Sequence, residues 1–474
     1  MFKPQFELFP YQVKGVQDLQ HFGGVSLFAG DMGVGKTAQT LSWVRQEWID
    51  ASPVLIVAPA NAKMVWEDEI KLWLGKRCAV LEGNYKAGKT VLPSAPVWIV
   101  NYDVLPSWSE ILRKHGFRTV IVDEVHYVKN KESKRYQVLR KALGKFVGRQ
   151  RDKWIPSIPH RIALSGTPIT NRPSELWPTL FLLWPDVFPQ PIPYFKRYCR
   201  PRWTPWGIKY DGAANLKELH EQLIKLGMIR QRKKECLKNL PPKVRRIIHV
   251  DIGSKRKEYE FAKENFLLWL SRKSKVRMRS AKRAEAFTKL GYLLRFVSRA
   301  KLRITCEWVS NFLESSDDKL IVFSFNRPAI DALHRHFGPK LSMKIDGSIK
   351  KQERRKNVQR FQTDPSCRLA LCQGKAAGVA LTLTAASDLL MHDYPWSAGD
   401  FLQIEDRIHR IGQTKTCFIH CLVAADTIEE KVIHAQRKKM KIIQRILDGD
   451  GELSAEQMFQ IEQSLVTELA AEIH

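Results

Sequence analysis

Acidic side chains are in short supply in this sequence of 474 residues: 49 aspartates and glutamates stand against 78 lysines and arginines, a formal net charge of +29. The imbalance points to a polyanionic partner, with nucleic acid ahead of an acidic membrane surface. Long apolar runs are missing too. None approaches the ~18 residues that a bilayer-spanning helix needs. The opening MFKPQFELFPYQ has neither the apolar core nor the small-residue cleavage site of a secretory signal. Cysteine is sparse, eight residues with no CxxC pair, which argues against a disulfide framework and suits reduced thiols in a cytoplasmic setting. The nearest approach to a metal cluster is Cys417, His420 and Cys421, in the stretch TCFIHCLVAAD. Strand alternation sends the two cysteines to one face and the histidine to the other, so core packing is expected. No repeat of fixed period occurs. No second cluster of carboxylates and histidines supports nuclease chemistry.

What is present is a globular composition, 44% apolar, long enough for about three domains. Short apolar runs bounded by turn residues recur: VSLFAG (25–30), VLIVAPA (54–60), VWIVNY (97–102), TVIVDE (119–124) and RIALSG (161–166). The rhythm returns in KLIVFSF (319–325), CRLALCQG (367–374), DLLMHDY (388–394) and CFIHCLVA (417–424). Runs of this kind are strands buried on both faces of parallel sheets, with the intervening helices as crossovers. The fold class is therefore α/β, with two sheets separated by other material. The boundaries expected are a first lobe over 1–185, a basic helical insertion and linker over 186–315, a second lobe over 316–447 and an acidic C-terminal helix or tail over 448–474. The insertion opens on a Pro- and Trp-rich stretch, read as irregular, followed by a helical pattern from Asn215 to Lys234. Residues 255–303 carry 16 lysines and arginines against four acids and read as helical, either a solvated face or a nucleic-acid-facing one. Residues 448–474 hold seven acids and no lysine or arginine, with a capping box at Ser454–Gln457.

Chemistry enters at GDMGVGKT. Gly30, four residues, then Gly35-Lys36-Thr37, directly after an apolar run, form the GxxxxGK[ST] phosphate loop in its strand–loop–helix setting. Glycines such as Gly33 and Gly35 let backbone N–H groups turn inward around phosphates, and the helix opening near Lys36 adds its positive dipole end. Lys36 would neutralise the terminal phosphates of ATP and the Thr37 hydroxyl would ligate Mg2+. A second apolar run ends on Asp123-Glu124. Asp123 can hold Mg2+ through water, and Glu124 is placed to activate the attacking water.

The remaining segments resemble a known family. Asp123-Glu124-Val125-His126 is similar to the DExH box of superfamily-two helicases, LSGTP (164–168) to their third motif, and QIEDRIHRIGQ (403–413) to their sixth. The ending DRIHRIGQ resembles the signature of Swi/Snf-type ATPases, the remodeller-like DNA translocases. FPYQ (9–12), APANAKMVW (58–66), SGTPITNRPSELW (165–177), MIRQRKKECLKNLPPK (228–243) and IDGSIKKQERRKNVQRFQ (345–362) occur in the family's order, so the likeness covers about residues 6–446. Within it, YCRP…GIKYDGAANLKEL, AAGVALTLTAAS and QIEDRIHRIGQ are most similar to the HepA-related (HARP) annealing-helicase branch. Few residues are left for accessory modules, as in a bare motor of bacterial or phage type.

The resemblance implies two tandem RecA-like lobes with helical insertions between the motif-bearing cores, ATP and Mg2+ as cofactors, and a monomeric motor on double-stranded or branched DNA, remodelling DNA-bound proteins or annealing DNA. It implies that Gln12 reads the adenine edge and that Gly378 belongs to the nucleotide site. His126, Ser165, Thr167 and Gln403 couple that site to the DNA track. Arg407 and Arg410 meet the charge that builds on the γ-phosphate. Two departures stand out: Ala380 where glycine is common, and Gln231 between the family's paired arginines. The motor grips phosphates more than bases, with contacts expected from Lys63 and Trp66 (the latter more a packing residue), Asn101 and Tyr102, Thr167, Asn171, and Gly374, Lys375 and Thr382. The basic stretch Lys145–Arg161 is a further candidate. The competing readings are a strand-separating helicase on DNA or RNA, and a degenerate scaffold that binds DNA without turnover.

Overall fold

The computed structural model describes residues 6–147, 153–204, 207–271, 290–374, 382–395 and 397–449. Lys375, Gly378, Ala380, Trp396 and the capping box at 454–457 lie outside the described residues. The chain divides into two compact units, Met1–Lys238 with Lys441–Ala455, and Asn239–Met440 with Glu456–His474.

In the first unit the strands are β1 (Val25–Phe28), β2 (Val54–Ala58), β3 (Cys78–Val80), β4 (Val97–Asn101), β5 (Thr119–Asp123), β6 (Gly144–Val147), β7 (Lys153–Pro156), β8 (His160–Leu164), β9 (Arg202–Thr204), β10 (Gly207–Lys209) and β11 (Met228–Ile229). Seven of them form one sheet in the order β11-β1-β8-β5-β2-β4-β3, with every pairing parallel. β2 and β4 are buried at every position, as the unbroken apolar runs require of strands covered on both faces. β6 pairs with β7, and β9 with β10, as antiparallel hairpins.

The second unit carries β12 (Lys243–Val250), β13 (Lys319–Ser324), β14 (Ser342–Ile345), β15 (Leu369–Gln373), β16 (Ala386–Met391) and β17 (Cys417–Ala424). They form a parallel sheet in the order β12-β17-β16-β13-β15-β14. One face packs Ile321, Phe323, Leu389, Cys417, Ile419 and Cys421, the other Leu320, Val322, Leu390 and Leu422. Cys417 and Cys421 thus share a core face. His420 lies against Trp308, ring centroids 4.9 Å apart, and Asp388 at 3.1 Å. Among the described residues no group of three potential metal ligands is brought together.

The stretch 186–315 differs from the single helical insertion expected. Residues up to Lys238 belong to the first unit, later ones to the second, and Lys441–Ala455 return to the first. Its proline-rich opening is not irregular: Pro191 and Pro193 begin a helix, Pro191–Tyr198, where a missing N–H costs nothing, and Tyr194, Phe195 and Tyr198 bury their rings. The helical pattern after Asn215 stops at Leu226, because Gly227 takes φ 124° and turns the chain into β11. Residues 255–303 are helical over Lys255–Ser271 and again from residue 290.

Candidate active site: a phosphate cradle and an acidic pair

Parallel strands bring their C-terminal ends to one edge of a sheet, where ligands bind. Because β1, β8 and β5 are neighbours, that edge collects three loops far apart in sequence: Gly30–Thr37 after β1, Asp123-Glu124 at the end of β5, and Ser165–Thr167 after β8.

The first loop runs through Gly33 at φ 82° and Gly35 at φ 78° into the helix Lys36–Gln46. At Gly35 the backbone angle favours glycine, and a Cβ there would displace the end of the Gln12 side chain, whose Nε2 lies 2.2 Å away. Lys36 Nζ donates to the Gly30 and Asp31 carbonyls at 2.8 and 3.1 Å, lying across the loop that would receive phosphate. Thr37 is half-buried in the first helical turn. Gln12 is buried beside the loop and donates to the Val34 carbonyl at 3.2 Å.

The acidic pair is held tightly. Asp123 Oδ2 accepts the Trp66 indole N–H at 2.8 Å and Oδ1 the Glu124 backbone N–H at 3.0 Å. Glu124 sits in the left-handed region, φ 50°, ψ 55°, an unusual conformation for a non-glycine residue. Its Oε2 accepts from Ser165 Oγ at 3.2 Å and lies 3.3 Å from His126 Nδ1. Ser165 Oγ also accepts the Thr167 N–H at 3.1 Å. Glu124, His126, Ser165 and Thr167 thus form one connected group, with the Thr167 hydroxyl buried and without a hydrogen-bond partner among the described residues. Burial works against ionising both carboxyls. His126, Lys36 and Ser165 overcome it at Glu124 and hold that group below the ordinary carboxylate range. Burial and the neighbouring Glu124 charge push Asp123 up to about 6. Only one negative charge is comfortable without a cation, and a divalent ion beside Asp123 would relieve the strain. The donor set, a hydroxyl and a carboxylate of oxygen type, fits Mg2+.

Three residues take parts that the motif reading did not assign to them. Trp66, expected mainly to pack, is 1% exposed and orients Asp123. Arg230 donates to Asp31 Oδ1 at 2.6 Å, to the Ala29 carbonyl at 2.8 Å and to Asp448 Oδ1 at 2.6 Å, so it clamps the strand leading into the cradle. Burial alone would raise Asp31, but Arg230 brings its carboxyl below the usual value. Gln231, which breaks the arginine pair, is buried against Gln39 at 3.0 Å and the Tyr11 carbonyl at 3.0 Å, where an arginine would bring a charge.

Several residues expected on the DNA track are interior. Lys63 is buried and donates to the Leu81 carbonyl at 3.2 Å. Asn101 is buried, and the buried Tyr102 donates from its hydroxyl to the Asp123 carbonyl at 2.6 Å. Of these three, Tyr102 touches the acidic pair. Arg161 is buried too and spends its guanidinium on four carbonyls, of Ile158, Pro159, Leu182 and Leu183, which removes it from the basic stretch. Thr167 is 2% exposed. Asn171 is half-buried, its amide on Glu175 Oε1 at 3.0 Å.

In the second unit, Gln403 is buried on the helix Ala398–Glu405. Arg407 and Arg410 follow it in a turn. That turn is fastened at both ends: Glu405 is fully buried and accepts Lys243 at 2.7 Å and Arg245 at 2.5 and 2.7 Å, while Gln413 donates to the Ala386 and Ile408 carbonyls at 2.9 and 3.2 Å. Arg407 is buried and Arg410 half-buried. Gly374 is buried, a Cβ there meeting Phe325 at 2.6 Å, and Thr382 is half-buried.

The family model for the SNF2-related domain matches residues 11–301, and that for the helicase conserved C-terminal domain residues 300–412. The SWI/SNF-related matrix-associated actin-dependent regulator of chromatin subfamily A-like protein 1 of Xenopus tropicalis is 30% identical over 447 residues, covering 92% of this chain and 44% of its own. The DNA annealing helicase and endonuclease ZRANB3 of Mus musculus is 31% identical over 467 residues, 94% of this chain and 41% of its own. The chain thus spans less than half the length of these relatives. The Sulfolobus solfataricus SWI2/SNF2 ATPase core in complex with dsDNA aligns over 100% of this chain and 98% of that one, with 22% identity and a TM-score of 0.45. No helix among the described residues is long and apolar enough to cross a membrane. With its first family model spanning residues 11–301 of 474, the chain belongs to the SNF2-related family.

Proposed function

We propose that the chain is a DNA-dependent ATPase that uses hydrolysis to travel on double-stranded DNA, remodelling protein–DNA complexes or annealing and reversing branched DNA. The observation that carries this reading is the connected group Glu124–Ser165–His126–Thr167 at the mouth of a glycine cradle. The carboxylate that would polarise water is tied by side-chain hydrogen bonds to the loop after β8, so a change at the nucleotide moves that loop. Glu124 remains ionised because its neighbours favour its charge, as a general base requires. Mg2+, held by Thr37 and Asp123, would supply charge neutralisation at the phosphates. Lys36 leaves its loop carbonyls to meet phosphate. Arg407 and Arg410 stabilise the charge that develops in the transition state. They belong to the second unit, so turnover depends on the two units acting together. The net charge of +29 suits a phosphate-gripping motor.

The test is ATP turnover against closed duplex DNA, forked DNA, single strands and RNA. Duplex and forks should stimulate it, and triplex displacement should report movement. Lys36→Ala and Glu124→Gln should each abolish stimulated turnover, and Glu124→Gln should still bind ATP. Near-normal turnover in Glu124→Gln would show that another group activates the water. Turnover by no nucleic acid at all would leave only a DNA-binding scaffold.

A further inference from the structure

We propose that the β9–β10 hairpin is a nucleic-acid contact in which Trp203 stacks on a base exposed at a DNA end or branch. The proposal deepens the DNA-motor reading and rests on it for the class of partner.

Trp203 is 78% exposed and is the only tryptophan in the exposed class among the described residues. Among the described residues its strand pairs with β10 alone. The register sets Trp203 opposite Ile208 and Arg202 opposite Lys209. Directly opposed side chains share a face, so one face of the hairpin is apolar and open, with Ile208 39% exposed, and the other is cationic.

This is not a loose end. Arg202 is bound to Asp211 at 2.7 Å beyond the hairpin, Phe195 lies against Tyr210 with ring centroids 5.4 Å apart, and the Ala214 N–H donates to the Tyr198 carbonyl at 3.0 Å. The indole is therefore displayed on a fastened support, which an isolated surface apolar residue does not need.

The surrounding charge says what it faces. Residues 196–209 contain Lys196, Arg197, Arg200, Arg202 and Lys209 and no acid; Arg197 is paired with Glu218 and Arg202 with Asp211, and five cations against these two acids leave a positive excess. Aromatic rings set among cations bind nucleic acid by stacking on bases while the cations meet phosphates. Inside a continuous duplex every base face is already covered by its neighbours. Only an end, a branch or a single strand offers an open face, so the hairpin contributes discrimination for such structures and not affinity for duplex DNA in general.

The experiment is binding without nucleotide, read by fluorescence anisotropy of a forked duplex. A relaxed covalently closed DNA circle serves as competitor to give the affinity for uninterrupted duplex. Trp203→Ala should weaken fork binding by about tenfold, within the range that one stacked base contributes, and leave affinity for the circle within about twofold. Trp203→Phe should recover most of the loss. A 2-aminopurine placed at the first unpaired position should be quenched by the parent chain and not by Trp203→Ala. Equal losses on both DNAs, or no loss on the fork, would overturn the proposal. ATP turnover on the closed circle by the parent chain tests the motor reading separately, since the stacking measurement needs no hydrolysis.

Discussion

Replacing Trp66 by phenylalanine isolates a single hydrogen bond in the acidic pair. The indole N–H reaches Asp123 Oδ2 at 2.8 Å, and the ring around it is 1% exposed, so no solvent can take its place without rearrangement. Asp123 keeps the Glu124 N–H on Oδ1 but loses the donor that fixes its other oxygen. A hydrogen bond to a charged group is worth about 1.5–3 kcal/mol, and removing a partner that orients a metal-holding side chain typically costs 10–100-fold. The expected outcome is a fall in stimulated kcat of that order, accompanied by a higher Mg2+ concentration for half-maximal turnover. Circular dichroism should confirm that the fold is kept. A purely structural tryptophan would lower the melting temperature and leave the Mg2+ dependence where it was. A kcat within about twofold of the parent, with unchanged Mg2+ response, would refute the idea that Trp66 positions Asp123.

Two further perturbations probe the second unit. Lys301 is fully buried and donates to the His392 and Leu422 carbonyls and to both oxygens of Glu429. Lys301→Met should destabilise the unit by about 3–5 kcal/mol because it strands a buried carboxyl, while Lys301→Met with Glu429→Gln should recover part of that; hydrogen exchange in β16 and β17 reads both. Asp346 is buried, which would raise its carboxyl, yet Ser348 and Lys344 hold it down at about 2. Its folded value lies below the unfolded one, so its contribution, about 2 kcal/mol, is complete above pH ~4 and is lost as the pH falls toward 2. Denaturant stability of the parent and of Asp346→Asn should accordingly converge at the acid end and diverge above pH ~4.

What could be read from the sequence was what is local. The cradle and the acidic pair each occupy one strand and the few residues after it, so each is legible within its own segment; that β8 lies between β1 and β5 is not. Trp66 to Asp123 spans 57 residues, Arg245 to Glu405 spans 160 and Arg230 to Asp31 spans 199; no spacing rule connects such pairs. β12 escaped notice because KVRRIIHV is an edge strand with five of its eight side chains exposed, unlike the fully apolar runs around it. Pro191 and Pro193 misled in the opposite way, since proline breaks a helix interior but suits its first turn.

Charge was the least transferable signal, and Lys63 shows why. A lysine just after an apolar strand in a family motif reads as a phosphate contact, but its ammonium is drawn to the Leu81 carbonyl and the residue is 8% exposed. A cation meeting DNA must be able to displace a condensed counterion, and a buried one cannot. Lys63→Met keeps the aliphatic stem and removes the charge. If Lys63 touched phosphate, the log–log salt slope of duplex binding would shrink by about 0.9. The buried geometry instead predicts an unchanged slope together with lower thermal stability, because the Leu81 carbonyl loses its donor. Measuring the binding constant of both proteins across a salt series decides between the two, and a reduced slope would return Lys63 to the track.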